Sequence, residues 1–269
     1  SVLMRVGLAA LVFLPFLRTR GQSLKTILLY MLVGAMQLGI MYLLAFRAYL
    51  YLTVSEFLLF TVFTPLYITL IYDLLSGRKL RWGYLLSAAL AVLGAAIIRY
   101  DKVSDHFWTG LLLVQLSNLC FAIGMVGYKR LMEVRPMPQH NAFAWFYVGA
   151  FIVAVAAWFM LGNAQKLPTT TLQWSVLVWL GVVASGLGYF MWNYGATQVD
   201  AGTLGIMNNV HVPAGLLVNL AIWQEQPHWP SFISGALVIL ASLWVHRRWV
   251  APHSGQTADD RRRGSAQSE

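Results

Sequence analysis

The sequence predicts an all-α polytopic membrane protein laid out as a ten-helix inverted repeat (5+5), with nine of those helices present in its 269 residues. Three observations predict it. The composition is 58% hydrophobic and only 11% charged, whereas soluble domains carry about 25% charged residues. The apolar residues gather into runs of bilayer length, far longer than the roughly 9–11 residues of a barrel strand. The runs also recur at a fixed interval along the chain, the mark of a duplication.

Nine apolar segments follow one another. The first, 2–17, carries Arg5; the second, 27–46, is free of charge; the third, about 55–75, has Glu56 and Asp73 near its ends. Segments 82–98, 107–128 and 142–161 come next, then 172–194, 201–223 and 229–245. Trp82, Trp108, Trp174, Trp229 and Trp249 stand at segment ends, where amphipathic rings anchor in the headgroup layer. The net charge of +9 is not a nucleic-acid signal, because the basic residues cluster in short loops between apolar runs. With the C-terminus cytoplasmic, inside loops and tail hold fourteen Lys and Arg and outside loops hold four: Arg47, Arg99, Lys102 and Lys166. That asymmetry sets the orientation. Residues 251–269 read as a disordered cytoplasmic tail, being polar and free of aromatics.

Laying Pro65 on Pro213 pairs Leu24 with Leu172, Leu29 with Leu177, Leu32 with Leu180 and Ala48 with Ala196. After a one-residue slip, Trp82 falls on Trp229, Ser87 on Ser234 and Ala89 on Ala236. The expected division is a first repeat over 1–100 and a second over 101–250. Segment 107–128 has no counterpart, so a further helix is expected ahead of the first. Five helices per repeat give the halves opposite topology, the plan of many secondary transporters.

Polar groups inside apolar runs are the candidate site, since they are costly in a bilayer unless they face a cavity or a neighbouring helix. Segment 201–223 lacks any charge yet holds Asn208, Asn209, His211 and Pro213. Proline removes a backbone donor and frees a carbonyl, which suits a substrate-facing helix break; Pro65 mirrors it. Gln37, Tyr42, Tyr67, Gln115 and Asn118 are further candidate cavity residues. Arg5 is either the partner of an anionic substrate group or a cation reaching the headgroups. Glu56 is the candidate coupling carboxyl, because burial would raise its pKa and let it follow a proton gradient; the competing reading is a wet interfacial carboxylate.

Proline midway along the fourth helix of each repeat (Pro65, Pro213), a short turn and a Gly/Ala-rich fifth helix resemble the EamA-type drug/metabolite transporter superfamily. Glu225 in Gln-Glu-Gln-Pro resembles the acidic residue of that superfamily after the fourth helix, whereas the first repeat has Gly77-Arg78 there. Residues 5–21, Tyr-Lys-Arg-Leu-Met-Glu (128–133) and Gly-Ile-Met-Asn-Asn-Val-His-Val-Pro (205–213) are similar to a branch of it, the biotin transporters of the enterobacterial inner membrane. The resemblance implies alternating-access import of biotin, with no cofactor or metal and no nucleic-acid partner. Biotin has a carboxylate, a ureido ring and an apolar body, so its site needs a cation, amide-like partners and aromatic walls. The rival within the superfamily is export of amino acids or other small metabolites.

Other chemistries find little support. No Gly-x-x-x-x-Gly-Lys-Ser/Thr loop and no His-Glu-x-x-His pair occurs. Val-Ala-Ser-Gly (183–186) with His211 offers the parts of an intramembrane serine protease, but Ser185 fits a Gly181/Ser185 packing stripe.

Overall fold

A computed structural model describes residues 2–52, 56–57, 60–77, 107–162, 167–210, 214 and 237. Seven helices lie among them: α1 (Val2–Phe13), α2 (Leu24–Ala48), α3 (Thr64–Leu75), α4 (Phe107–Val134), α5 (Gln139–Leu161), α6 (Thr171–Ala196) and α7 (Ala201–Asn208). Helices α2, α4, α5 and α6 are long and apolar enough to cross a membrane. The expected segments 82–98 and, apart from residue 237, 229–245, together with His211, Pro213 and the tail, lie outside the described residues.

Capping explains where several helices start. The Ser23 hydroxyl accepts the Thr26 N–H at 3.2 Å, so α2 begins at Leu24, ahead of its apolar run. Thr170 and Gln173 form a capping box that starts α6. Helix α4 continues past Tyr128, where its apolar run ends, because Glu133 pairs with Lys129 at 3.2 Å and Arg130 at 2.5 Å. Such pairs one turn apart hold a helix in water.

By packing, residues 1–199 and Asp200–Glu269 form two compact units. In the first, α2 lies between α4 and α5, α1 lies against α5 and α6, and α3 packs on α4. Backbones touch where side chains are absent. A Cβ on Gly34 would stand 1.8 Å from the Phe146 carbonyl oxygen, and one on Gly149 1.8 Å from that of Met31. Outward faces are apolar, with Leu28, Leu32, Ile152, Phe159 and Met160 exposed, as a surface solvated by lipid requires. In the second unit, the Asp200 carboxylate caps α7 by accepting from the Gly202 and Thr203 amides at 2.9 and 3.0 Å.

Helices α2 and α6 each contain a stretch of wide, π-type turns, Ala35–Ile40 and Trp179–Gly188. Such turns are rare and gather at functional sites. Displacing the chain by the interval that lays Pro65 on Pro213 puts Ala35–Ile40 onto residues 183–188. The same displacement lays the α2 end, Ala48, on the α6 end, Ala196, and the α1 end, Phe13, on the α5 end, Leu161.

Candidate functional site

Helix α6 is 26 residues long, so Ser185 lies roughly 15–20 Å from either end at 1.5 Å per residue. Three helices meet at this depth. Arg5 of α1 turns inward and donates from Nε to Ser185 Oγ at 3.2 Å and from Nη2 to the Tyr42 hydroxyl at 3.1 Å. The two hydroxyls lie 3.1 Å apart and either can donate to the other. The guanidinium carbon also sits 4.8 Å from the centre of the Tyr42 ring, a cation–π distance. Ser185 is wholly buried and Tyr42 nearly so.

These contacts use two of the five guanidinium N–H groups. No ion pair of Arg5 is found among the described residues. An intramembrane cation held by neutral oxygens and a π face, with donors to spare, is arranged to receive an anionic oxygen.

The wide turns of α6 set this geometry. They free carbonyl oxygens, and the Tyr147 hydroxyl of α5 bonds to those of Ser185 and, at 3.1 Å, Gly186. Gly181 lets α1 approach, since a Cβ there would stand 2.8 Å from Leu8 Cβ and 3.3 Å from the Arg5 carbonyl oxygen. Aromatic rings wall the region. Tyr189 meets Tyr42 edge-on at 6.1 Å and Phe121 at 6.4 Å, and Phe13 stacks on Tyr147 at 5.3 Å.

Gln37 lies within the wide turns of α2, wholly buried. Among the described residues, neither its amide oxygen nor its amide nitrogen has a hydrogen-bond partner. A second polar cluster surrounds Pro65, which occupies the first turn of α3. Gln115 Nε2 and Asn118 Nδ2, both of α4, donate to the Phe60 carbonyl at 3.3 and 2.9 Å, and the Tyr67 hydroxyl donates to Gln115 Oε1 at 3.0 Å. These side chains satisfy backbone at the point where the helix is interrupted. Glu56 is half-buried in helical backbone. In the second unit Asn208 is buried at the end of α7, and the carbonyl of the Asn209 side chain is buried without a partner.

The structure thus joins Arg5 to Tyr42 and joins Tyr67, Gln115 and Asn118 to one another. Sequence reasoning missed Ser185 as an Arg5 partner, along with Tyr147 and Tyr189. A small polar residue in a glycine stripe is indistinguishable from packing until the facing helix is known. The Ser185 hydroxyl has a guanidinium and a phenol as its neighbours, neither of which is a base for a serine nucleophile.

Comparison with known proteins fixes the family. Residues 108–247 match the EamA-like transporter family. The chain belongs to that family. Among curated EamA-like relatives, it is 83% identical over 269 residues to the "Biotin transporter" of Escherichia coli (strain K12), covering all of this chain and 90% of that protein. It is 52% identical over 249 residues to the "Probable biotin transporter" of Pseudomonas aeruginosa, covering 92% of this chain and 87% of that one. A solved crystal structure 16% identical shares the fold, with a TM-score of 0.71 over 92% of this chain and 87% of that chain. As an EamA-like transporter, the molecule is a multi-pass helical membrane protein, in keeping with its four long apolar helices.

Proposed function

We propose that this chain is a secondary transporter that imports biotin across the bacterial inner membrane by alternating access. The observation that carries the reading is the Arg5 guanidinium, held at mid-helix depth by Tyr42 and Ser185 with no carboxylate partner among the described residues. A carboxylate entering there gains charge-assisted hydrogen bonds in a low-dielectric setting, and the surrounding rings suit an apolar chain. Relatives up to 83% identical that are named as biotin transporters support the substrate.

Asn208, Asn209 and His211 of the second unit are further substrate-binding candidates in this reading. Tyr67, Gln115 and Asn118 hold the break at Pro65. The architecture is ten helices in two inverted repeats, 1–100 and 101–250, with the C-terminus cytoplasmic. Its support is the single displacement that matches two helix ends and both wide-turn stretches. By that displacement α5 and α6 answer to α1 and α2. Glu56 couples uptake to protons: charged in one facing state, neutral in the other.

Uptake of labelled biotin at nanomolar concentration, in cells unable to make biotin, tests the proposal against an empty vector. Saturable uptake carried by the full-length protein supports it, and no rise above the vector rejects it. Replacing Glu56 with Gln should remove the sensitivity of uptake to a protonophore; a variant that stays fully sensitive excludes Glu56 as the coupling group.

A further inference from the structure

We infer that Gln37 is the residue that selects the neutral, urea-like end of the ligand, opposite the Arg5 carboxylate site; the inference rests on the biotin reading and adds a specificity residue to it. Three independent observations converge on Gln37. The first is its unpaired amide. Gln37 is 0% exposed, with Oε1 and Nε2 both unpartnered. Leaving such atoms buried and unpaired is destabilising, whereas an apolar side chain of the same shape removes the penalty. An amide at this position is therefore explained by a partner outside the protein chain.

The second is position. The displacement that lays Pro65 on Pro213 lays Gln37 on Ser185. Both are wholly buried, both lie within wide turns, and both fall near the middle of helices 25 and 26 residues long. One of the matched residues is already occupied with Arg5. The other is vacant, at the same depth and in the same unit of the fold.

The third is a close helix contact that fixes its place. A Cβ on Gly124 would stand 2.2 Å from Gln37 Cβ and 2.7 Å from its Cα. Helix α4 thus has a glycine where any larger residue would displace Gln37.

Gln37 and Tyr42 are five residues apart on α2, a rise of roughly 7 Å, and in this inference one extended ligand spans the amide and the cation. An amide offers one carbonyl and two N–H donors. Against a cyclic urea, Oε1 accepts a ring N–H and Nε2 donates to the ring carbonyl. Against a cyclic guanidinium, the donor of Nε2 meets another donor and that half of the match is lost.

Competition against labelled-biotin uptake by the full-length protein tests this, with three unlabelled probes. Desthiobiotin keeps both the urea and the carboxylate, 2-iminobiotin replaces the urea carbonyl by C=NH and is cationic, and biotin methyl ester lacks the carboxylate charge. Gln37→Leu should raise KM about tenfold, the loss of one or two hydrogen bonds. It should also bring desthiobiotin and 2-iminobiotin to within about twofold of each other while leaving discrimination against the methyl ester intact. Gln37→Glu keeps the side chain's shape and should shift preference toward 2-iminobiotin. With normal protein levels in the membrane, unchanged KM and unchanged urea selectivity in both variants would overturn the inference. So would a change in thermal stability alone, the result expected if the amide merely holds a buried water. Wild-type protein that takes up no biotin overturns the underlying reading, and this one with it.

Discussion

Helices α1 and α2 form one pair, and α5 and α6 form another that coincides with it under a single displacement along the chain. The two pairs share helix ends and wide turns, yet their side chains differ where it matters. Arg5 answers to Val153, Tyr42 to Phe190 and Gln37 to Ser185. The first pair therefore brings the cation, a phenol and an unpaired amide, and the second brings one hydroxyl and an apolar wall. The packing is exchanged between pairs, with α2 on α5 and α1 on α6. In the proposed reading, two alike pairs grip a ligand whose two ends are chemically unlike: duplication supplies the frame, and divergence at three positions supplies the polarity of the site.

The largest effects should come from the contacts that hold each exchanged pair together. On α2, a Cβ at Gly34 would collide with a carbonyl oxygen of α5 at 1.8 Å, and backbone cannot step aside. On α6, a Cβ at Gly181 would meet Leu8 Cβ at 2.8 Å and the Arg5 carbonyl oxygen only at 3.3 Å, a milder clash. Gly34→Ala should cost more than about 3 kcal/mol and largely abolish folded protein, against about 1 kcal/mol for Gly181→Ala. Thermal unfolding in detergent measures both, and equal stability of the two variants would break the contrast.

Next comes charge. Arg5→Ala should lower uptake efficiency by roughly 30-fold to several thousandfold at normal membrane levels, the cost of about 2–5 kcal/mol for a buried charged partner. Moving the cation to its matched position, with Arg5→Val and Val153→Arg together, should not restore uptake. Val153 packs against Gly39, whose added Cβ would stand 2.8 Å from Val153 Cβ; Tyr42 and Ser185 hold the guanidinium at position 5. Recovery by the exchanged variant would show that the two pairs are interchangeable after all.

Much of this was legible in the sequence, for identifiable reasons. Apolar runs matched α1, α2, α5 and α6 to within a few residues, because burying backbone in lipid leaves few alternatives, whereas the expected segment 55–75 is interrupted by a tight turn at Thr61–Phe63 ahead of α3. Helix α4 overran its apolar run since its last turns rest on the Glu133 ion pairs, a signal carried by charge and not by hydropathy. Arg5 and Tyr42 were visible as polar groups in apolar runs, but their partnership was not, since it joins residues from different helices. The wide turns were invisible too. They arise from packing and from side chains such as Tyr147 that satisfy displaced carbonyls, and no residue pattern in 35–40 or 179–188 announces them.

Within the Arg5 cluster, Tyr42→Phe should raise KM roughly ten- to a hundredfold, since a hydrogen bond to a charged group is worth about 1.5–3 kcal/mol. Ser185→Ala should do less, a few-fold, because Tyr42 still holds the guanidinium. Phe190→Tyr, which gives the second pair the phenol of the first, should not rescue Tyr42→Phe. Uptake kinetics at matched protein levels decide among these, and a larger loss from Ser185→Ala than from Tyr42→Phe would reverse the ranking.

The smallest effect sharpens the comparison at the level of backbone. Both interrupted helices have a carbonyl covered by a neighbouring helix: Tyr147 serves Ser185 and Gly186 on α6, and Gln115 with Asn118 serves Phe60 ahead of α3. Phe60 has two donors, so losing one leaves it satisfied. Asn118→Leu alone should cost about 1 kcal/mol of stability, a single net hydrogen bond. Adding Gln115→Leu strands the carbonyl and the Tyr67 hydroxyl together, so the double variant should lose more than the sum of the two single losses. Uptake KM should stay unchanged in the Asn118 variant, because its amide serves backbone and not ligand. A rise in KM without loss of stability would move Asn118 from the helix break into the binding site.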